Sequence, residues 1–301
     1  MISLSEESRR IADHPARSEG HPTIRQTLRD AADALAAIGS DEATLEAELL
    51  LAHALHTDRA HLYQRLAEDL AEEAARAFDA LLARRLVREP TAYILGRREF
   101  YGLELEVIPA AIIPRPDTET LVDLVLDFAR GRGAVSIADV GTGSGAIAIA
   151  LAVNLPQAEI TAIDVSPDAL ALARRNAQRH GVAERIRFLE GDLLAPLDGR
   201  ADVIAANLPY VPSAELQAGP PEIREHEPRL GLDGGPDGLR LIERLVRQTP
   251  ARLRPGGALF AEIGDTQGPA VLALARAAFP AARAEVARDL AGLDRVLVVG
   301  L

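Results

Sequence analysis

The chain has 301 residues, of which 48% are hydrophobic and 26% are charged, enough for two globular domains with sizeable cores. Its formal net charge of −12 and aromatic content of 3% argue against binding to phosphate backbones or stacked bases, and its lack of cysteine excludes disulfides, thiolate metal sites and a cysteine nucleophile. Since no apolar run approaches the ~18 residues of a membrane span and the N-terminus shows no signal-peptide pattern, we expect a soluble cytoplasmic protein.

The N-terminal third of the chain is predicted to be helical. Residues 1–22 are polar and are predicted to be a flexible extension. Residues 23–90 predict a small bundle of four helices, in which Thr23 caps the first helix and Asp41 or Thr44 begins the second. Periodicity leaves two roles open for this bundle, a support or dimerisation unit and a surface for a macromolecular substrate.

A connecting segment follows the bundle. Residues 91–116 are predicted to link the two domains, and within them an alternating pattern from Tyr93 to Val107, broken at Gly96 and Gly102, predicts a β-hairpin. The chain is then expected to enter a helix capped by Asp117 or Thr118.

Residues 117–301 alternate between strand and helix patterns. The predicted strands are 135–140, 159–163, 185–190, 202–206, 258–263, 283–288 and 295–300, and the main helices are 146–154, 167–180, 239–250 and 267–278. This order predicts an α/β fold with a doubly wound, Rossmann-like parallel sheet. Only residues 289–294 separate the last two strands, too few for a parallel crossover, so the last strand should be antiparallel. Such a sheet is more typical of class I methyltransferases that use S-adenosylmethionine than of dehydrogenases.

A glycine-rich loop follows the first strand of this sheet. It comprises Gly141, Thr142, Gly143, Ser144 and Gly145. Glycine at every second position lets the backbone turn tightly and approach a ligand closely. Asp164 ends the next strand about 20 residues later, where a carboxylate can accept both hydroxyls of a ribose. The same residues also satisfy a dinucleotide-binding pattern, so the loop alone does not choose the ligand.

Asp192, beside Leu193 at the end of the third strand, is a second acid suited to the amino group of an adenine. Nothing in the chain suggests a hydride-accepting arrangement, and acidic strand ends suit a positively charged sulfonium cofactor. The seven histidines are scattered and lack a carboxylate-rich ligand set, so we expect no metal site.

The sequence Asn207-Leu208-Pro209-Tyr210 follows the fourth strand, at the sheet edge where open α/β sheets bind ligands. Asn207 brings an amide, Pro209 stiffens the turn, and Tyr210 offers a flat ring. Together these groups are suited to hold a planar –NH2 group. The alternative is an ordinary Asn-x-Pro turn.

Several motifs occur in the order that is typical of one enzyme family. They are Tyr93-Ile94-Leu95-Gly96, Glu99-Phe100-Tyr101-Gly102, Ile113-Pro114-Arg115-Pro116-Asp117-Thr118-Glu119, the loop at 141–145, Glu227-Pro228-Arg229 with Asp233-Gly234-Gly235-Pro236-Asp237-Gly238, and Glu262-Ile263-Gly264. Over nearly its whole length the chain resembles the PrmC/HemK family of protein-(glutamine-N5) methyltransferases. Members of this family modify the glutamine of the Gly-Gly-Gln motif in class 1 peptide chain release factors.

The resemblance implies a role for each part of the chain. The cofactor is S-adenosylmethionine and the product S-adenosylhomocysteine, residues 23–90 form a substrate-recognition domain, and residues 117–301 form the methyltransferase domain. Gly141, Thr142, Gly143, Ser144 and Gly145 border the methionine part, Asp164 holds the ribose, Asp192 and Leu193 border the adenine, and Asn207 also faces the cofactor. Asn207, Pro209 and Tyr210 are the implied catalytic residues, and with Leu208 they bind the substrate amide. Expected partners are release factors, without nucleic acid or membrane, and the chain is expected to be a monomer.

Leu208 departs from the family's Asn-Pro-Pro-Tyr signature, and Asn-Leu-Pro-Tyr resembles the loop of ribosomal RNA adenine dimethyltransferases. An adenine-N6 methyltransferase therefore remains an alternative, as does a non-catalytic cofactor-binding or scaffold protein. Residues 211–238 lack periodicity and are expected to cover the substrate, anchored by Glu227 and Arg229. Phe100 is expected either to line the site or to pack in the core.

Overall fold

The computed structural model describes residues 21–301, so the predicted flexible extension lies outside the described residues except for its last two positions. The chain divides into two compact units between Val87 and Arg88. In the described part of the chain, no helix combines the length and the apolar composition needed to cross a membrane.

The first unit is helical. Its helices are α1 (Ile24–Ala37), α2 (Ala43–Ala54), α3 (Arg59–Gln64) and α4 (Glu72–Leu86). Thr23 caps α1 as predicted: its hydroxyl accepts from the Gln26 N–H at 3.3 Å, and the Gln26 side chain accepts from the Thr23 N–H at 2.9 Å. The start of α2 differs from the prediction, because Glu42 is the N-cap and makes no side-chain cap.

The second unit begins with a short helix and a hairpin. The elements are α5 (Thr91–Leu95), β1 (Arg97–Phe100) and β2 (Leu103–Glu106). The two strands pair antiparallel as predicted, but residues 91–95 are helical, and Gly96 ends that helix at a φ of 69°. Phe100 is 1% exposed and packs in the core of this unit, which decides between its two predicted roles.

A seven-stranded sheet forms the centre of the second unit. Its strands are β3 (Ser136–Val140), β4 (Glu159–Asp164), β5 (Ile186–Glu190), β6 (Ala201–Ala206), β7 (Leu253–Glu262), β8 (Arg283–Arg288) and β9 (Asp294–Gly300). The strand order is β5-β4-β3-β6-β7-β9-β8. The first five strands are parallel, and β9 lies antiparallel between β7 and β8, which confirms the predicted sheet and its antiparallel last strand.

Helices cover both faces of the sheet. They are α6 (Glu119–Ala129), α7 (Ala146–Asn154), α8 (Pro167–Arg179), α9 (Ser213–Ala218), α10 (Arg240–Arg252) and α11 (Gly268–Ala278). Residues of α6 and α7 share one hydrophobic core cluster, and residues of α10 and α11 share the other. The chain reverses its winding direction between β3 and β6, which are neighbours, so a crevice opens at their carboxyl ends.

Candidate active site

A cavity of about 780 Å³ lies at the carboxyl ends of the parallel strands, within the size range of small-molecule sites. Eight predicted site residues line it: Gly141, Gly143, Asp164, Asp192, Leu193, Asn207, Leu208 and Pro209. Residues 228–231, part of the segment predicted to cover the substrate, also line the cavity. So do residues 109–112 and Arg240, Leu241 and Arg244 of α10, which were not predicted to do so.

The glycine-rich loop has a backbone that requires glycine. Gly141, Gly143 and Gly145 have φ angles of 74°, 55° and 84°, in the left-handed region. A Cβ atom on Gly141 would lie 2.8 Å from Cδ2 of Leu208, so the loop after β6 packs directly on the loop after β3. At Gly141 and Gly143 the backbone lines the cavity without a side chain. A ligand can therefore come into close contact with the main chain there.

Thr142 and Ser144 belong to this loop, but they are buried and do not line the cavity, and neither does Gly145. The Thr142 hydroxyl donates to Oδ2 of Asp139 at 2.7 Å, and the Ser144 carbonyl accepts from Nδ2 of Asn176. These residues shape the loop from behind, a role that the repeat of glycines did not reveal.

Asp139 is a buried carboxylate that the sequence analysis did not single out. It is 0% exposed, and burial raises its pKa to about 7 despite hydrogen bonds from the Thr142 hydroxyl and the Ala148 N–H. Its second oxygen, Oδ1, has no hydrogen-bond partner among the described residues. Asp139 lies just before the glycine-rich loop, and its ionised form destabilises the folded state.

Asp164 ends β4 and faces the cavity as predicted. Its Oδ2 accepts from the Gly143 N–H and its Oδ1 from the Ser166 N–H, each at 2.9 Å. Burial raises its pKa. Each oxygen retains a lone pair, so the carboxylate can still accept hydrogen bonds from two hydroxyls.

Asp192 lies at the cavity wall but is paired with Arg244 of α10, a partner that the sequence pattern does not indicate. The arginine takes one of its two oxygens and leaves the other for a ligand donor. Leu193 is buried beside it at a φ of 50°, so the backbone turns sharply here and presents an apolar side chain to the cavity.

The Asn207 side chain is held by Thr118, which was predicted as a possible helix cap. Its Nδ2 donates to Oγ1 of Thr118 at 3.0 Å, and its Oδ1 accepts no hydrogen bond from residues 21–301. Thr118 occupies the N-cap position of α6, one of the two predicted, but its side chain makes no cap hydrogen bond, because a 3₁₀ turn, Pro116–Thr118, runs straight into that helix. The hydroxyl is thus available to Asn207.

The rest of the Asn-Leu-Pro-Tyr loop is also held in place. Leu208 and Pro209 are buried, and the Leu208 carbonyl accepts no hydrogen bond within the described part of the chain. Tyr210 lies beside the cavity wall and not on it, and its hydroxyl donates to Oε1 of Glu262 at 3.1 Å. Burial, reinforced by Glu262, raises the pKa of Tyr210, so the phenol keeps its proton.

The motif at residues 233–238 clamps the backbone of this loop. A Cβ atom on Gly234 would lie 2.7 Å from the Pro209 carbonyl oxygen, and one on Gly238 would overlap the Tyr210 carbonyl oxygen. Gln267, a buried residue, donates through Nε2 to that same Tyr210 carbonyl at 2.9 Å. The glycines are therefore required for close backbone contact with the loop.

Residues 109–112 and 228–231 cover the cavity, and Glu227 links the two chain segments to which they belong. This carboxylate accepts from the Ile113 N–H at 3.0 Å and pairs with Arg115. Arg229 pairs instead with Asp233, within its own segment, so only the first of the two expected anchors reaches across. Residues 211–238 are also less irregular than expected, with α9, a π-helical turn (Glu222–His226) and a 3₁₀ turn (Arg229–Gly231).

The arrangement joins a bare backbone loop, a carboxylate suited to hydroxyls, and a side-chain amide with a free oxygen beside a free main-chain carbonyl. The last pair is suited to accept two hydrogen bonds from one planar –NH2 group. Glu262 and Gln267 bond to Tyr210, which ends the same loop. Of these two residues only Glu262 lies in a motif of the resembled family, Glu262-Ile263-Gly264.

Comparison with known proteins agrees with this geometry. Residues 26–96 match the family model of the PrmC N-terminal domain, and residues 137–226 match a methyltransferase domain. A release factor glutamine methyltransferase from Moorella thermoacetica is 47% identical over 274 residues, covering 91% of this chain and 96% of that protein. Those from Geobacter sulfurreducens and Cereibacter sphaeroides are 45% and 43% identical, covering 91% and 90% of this chain and 95% of each relative. With such identity over nearly its whole length, the chain belongs to the release factor glutamine methyltransferase family.

Proposed function

We propose that this protein transfers a methyl group from S-adenosylmethionine to the side-chain amide nitrogen of the glutamine in the Gly-Gly-Gln motif of class 1 release factors, a step in the chemistry of translation termination. The observation that carries the proposal is the Asn207 side chain, held by Thr118 at the cavity wall with Oδ1 left to accept a hydrogen bond. A reaction on a translation factor assigns the protein to the cytoplasm. Since one chain supplies the whole cavity wall, a monomer suffices.

The residues present fit the proposed cofactor. Gly141 and Gly143 offer backbone without side chains, Asp164 offers two carboxylate oxygens, and Asp192 with Leu193 offers a polar and an apolar edge. When bound, the cofactor supplies a methyl group activated by a sulfonium charge.

The protein's own task is to make an amide nitrogen reactive, since its lone pair is delocalised into the carbonyl. Oδ1 of Asn207 and the Leu208 carbonyl accept the two amide protons, and these hydrogen bonds strengthen as positive charge develops on nitrogen. Pro209 stiffens the loop and so aims the nitrogen. Such alignment supplies about 7–11 kcal/mol in good intramolecular models. The surplus proton leaves to water, and packing of the Tyr210 ring on the amide plane stays a prediction.

Residues 23–90 are proposed to contact the body of the release factor, which extends well beyond the glutamine that enters the cavity. Removing a basic or apolar surface residue here should raise KM for the intact factor and not for a short Gly-Gly-Gln peptide. Equal effects on both substrates would contradict this part of the proposal.

The test of the function is label transfer. The protein is incubated with S-adenosylmethionine labelled in its methyl group and an intact class 1 release factor, or with RNA, and the products are digested and analysed by mass spectrometry. Label on the Gly-Gly-Gln peptide, absent when that glutamine is replaced by alanine, supports the proposal. Label on adenine, or on neither substrate, overturns it.

A further inference from the structure

Gln267 is a buried amide that bonds to the candidate catalytic loop. It follows the turn after β7 and occupies the N-cap position of α11, where its side chain makes no cap hydrogen bond. It is 8% exposed and does not line the cavity. It therefore influences a reaction in the cavity only through the residues to which it bonds.

Both ends of the Gln267 side-chain amide meet main-chain partners. Oε1 accepts from the Gly264 N–H at 2.9 Å. Nε2 donates to the Tyr210 carbonyl at 2.9 Å and to the Asp237 carbonyl at 3.2 Å. One side chain thus joins three segments: the loop after β6, the motif at residues 233–238 and the turn after β7.

The orientation of this amide follows from its partners. The Gly264 N–H is a donor and needs an oxygen, whereas the two carbonyls need N–H groups. An amide turned by half a rotation would place its oxygen against both carbonyls and its NH2 group against an N–H. The Gln267 N–H also donates to the Gly264 carbonyl at 3.0 Å, and this reciprocal pair holds the side chain in place.

The backbone around Gln267 is shaped for close approach. A Cβ atom on Gly238 would overlap both Nε2 of Gln267 and the Tyr210 carbonyl oxygen, and one on Gly264 would lie 3.3 Å from Oε1 of Gln267. Any larger residue at position 238 would push the amide off the loop. The glycines are therefore part of the arrangement that lets one amide reach both carbonyls.

Gln267 holds a part of the loop that is close to a candidate acceptor for the substrate. Only Pro209 separates Tyr210 from Leu208, whose carbonyl accepts no hydrogen bond within residues 21–301. The proline ring fixes its own φ, so few rotations lie between the Leu208 and Tyr210 carbonyls. The Tyr210 hydroxyl is also held, by Glu262 at 3.1 Å. Because both ends of Tyr210 are held, the direction of the Leu208 carbonyl is restricted as well.

We propose that Gln267 is a positioning residue: by holding the Tyr210 carbonyl, it aims the Leu208 carbonyl at the amide nitrogen of the substrate. This inference rests on the proposed function, in which the Leu208 carbonyl accepts one of the two amide protons. It explains why a polar group is buried here, since a buried amide costs the fold free energy unless it is hydrogen-bonded. It also gives the motif at residues 233–238 a role, because the Asp237 carbonyl accepts the second proton of Gln267.

The first test is Gln267→Glu, which keeps the shape of the side chain. The carboxylate still accepts from the Gly264 N–H, but it has no proton for the two carbonyls and repels them. We expect kcat at saturating substrates to fall about 10²-fold, as for a reacting group displaced by about 1 Å, with KM for both substrates changed less than about threefold. Wild-type kcat in this variant would overturn the proposal, and so would a loss confined to KM.

Gln267→Met separates hydrogen bonding from packing, and it carries the same test if the charged variant does not fold. Methionine has a similar shape and no strong hydrogen-bonding group, so kcat should again fall about 10²-fold. A methionine variant as active as the wild type would contradict the proposal.

Gln248→Glu is the matched control for the added charge. The Gln248 oxygen accepts from the Leu194 N–H at 3.0 Å, and its Nε2 donates to no group within the described part of the chain. The substitution therefore keeps the hydrogen bond that Gln248 makes, and kcat should stay within about twofold of the wild type. An equal loss in this control would assign the effect to the charge and refute the role of Gln267.

Hydrogen exchange provides a readout that needs no substrate. In the wild type the Val211 N–H donates to the Leu232 carbonyl at 3.0 Å, and the Gly234 N–H donates to the Val211 carbonyl at 2.9 Å. Peptides covering residues 207–214 and 233–239 should therefore be protected from exchange, as measured by mass spectrometry.

Gln267→Glu should speed exchange in these two peptides at least about fivefold and leave the peptides of α7 unchanged. Unchanged exchange in the two peptides would refute the positioning role. Equal acceleration throughout the second unit would also refute it, because the variant would then lower only the overall stability. Failure of the wild type to methylate a release factor, by contrast, would refute only the proposed function.

Discussion

The side chains of Thr118 and Asn207, 89 residues apart in the sequence, meet at 3.0 Å. This contact connects the start of α6 with the loop after β6, where the candidate catalytic amide lies. It fixes the rotation of that amide before any substrate arrives, which is the kind of preorganisation that lowers a barrier at no cost during reaction.

Asn207→Ala should lower kcat for release factor methylation by about 10²–10³-fold, because it removes an acceptor that gains strength in the transition state. Cofactor affinity, measured by calorimetry, should change little. Asn154→Ala is a suitable control, since within residues 21–301 the Asn154 side chain bonds only to the Ala150 carbonyl in α7. Unchanged turnover in Asn207→Ala would refute the role of this amide.

Gly141→Ala should weaken the binding of S-adenosylmethionine at least about tenfold. The new Cβ would lie 2.8 Å from Leu208 at a φ of 74°, so the two loops at the cavity must separate. Gly181→Ala tests the backbone strain alone, because Gly181 has a φ of 68° and open space around its Cβ position. Calorimetry should show full affinity in the Gly181 variant, and equal losses in both would contradict the steric explanation.

Glu227→Gln should lower the free energy of unfolding by about 1–3 kcal/mol, since it leaves Arg115 without its ionic partner in the roof of the cavity. Urea denaturation measures the change. Glu215→Gln, at an exposed position of α9, should change the unfolding free energy by less than about 0.5 kcal/mol. A neutral Glu227 variant would show that the two roof segments are held by other contacts.

Asp139→Asn should stabilise the protein increasingly as pH rises. Burial raises the pKa of Asp139 to about 7 from an ordinary value of 3.8, so the unfolded chain loses this proton at lower pH than the folded chain. The wild type is therefore penalised progressively between those pH values, by up to about 4 kcal/mol above pH 7. Urea denaturation of the cofactor-free protein at about pH 4.5 and pH 8 measures the difference, and an identical gap between variant and wild type at both would contradict the raised pKa.

The sheet was predictable because its strands are short apolar runs separated by amphipathic helices, and the antiparallel β9 followed from the length of one turn. The starts of the helices were less predictable. Ala43 and Glu119 begin helices without the side-chain caps that Asp41 and Thr118 suggested. The Thr118 hydroxyl accepts a hydrogen bond from Asn207 instead, a tertiary contact that local sequence does not reveal.

The site was predictable where residues sit at strand ends, since those ends share one edge of the sheet. Asp164 and Asn207 reach the cavity for this reason. What remained hidden depends on distant partners: Arg244 bonds to Asp192, Thr118 to Asn207, and Glu262 to Tyr210. Periodicity within a segment carries no information on such pairs.

The structure of the protein bound to S-adenosylhomocysteine and an intact release factor tests the central claim most directly. We predict that the glutamine amide nitrogen lies within about 3.2 Å of both Oδ1 of Asn207 and the Leu208 carbonyl oxygen. A substrate amide bound elsewhere, or an Asn207 side chain turned to offer its NH2 group, would contradict it.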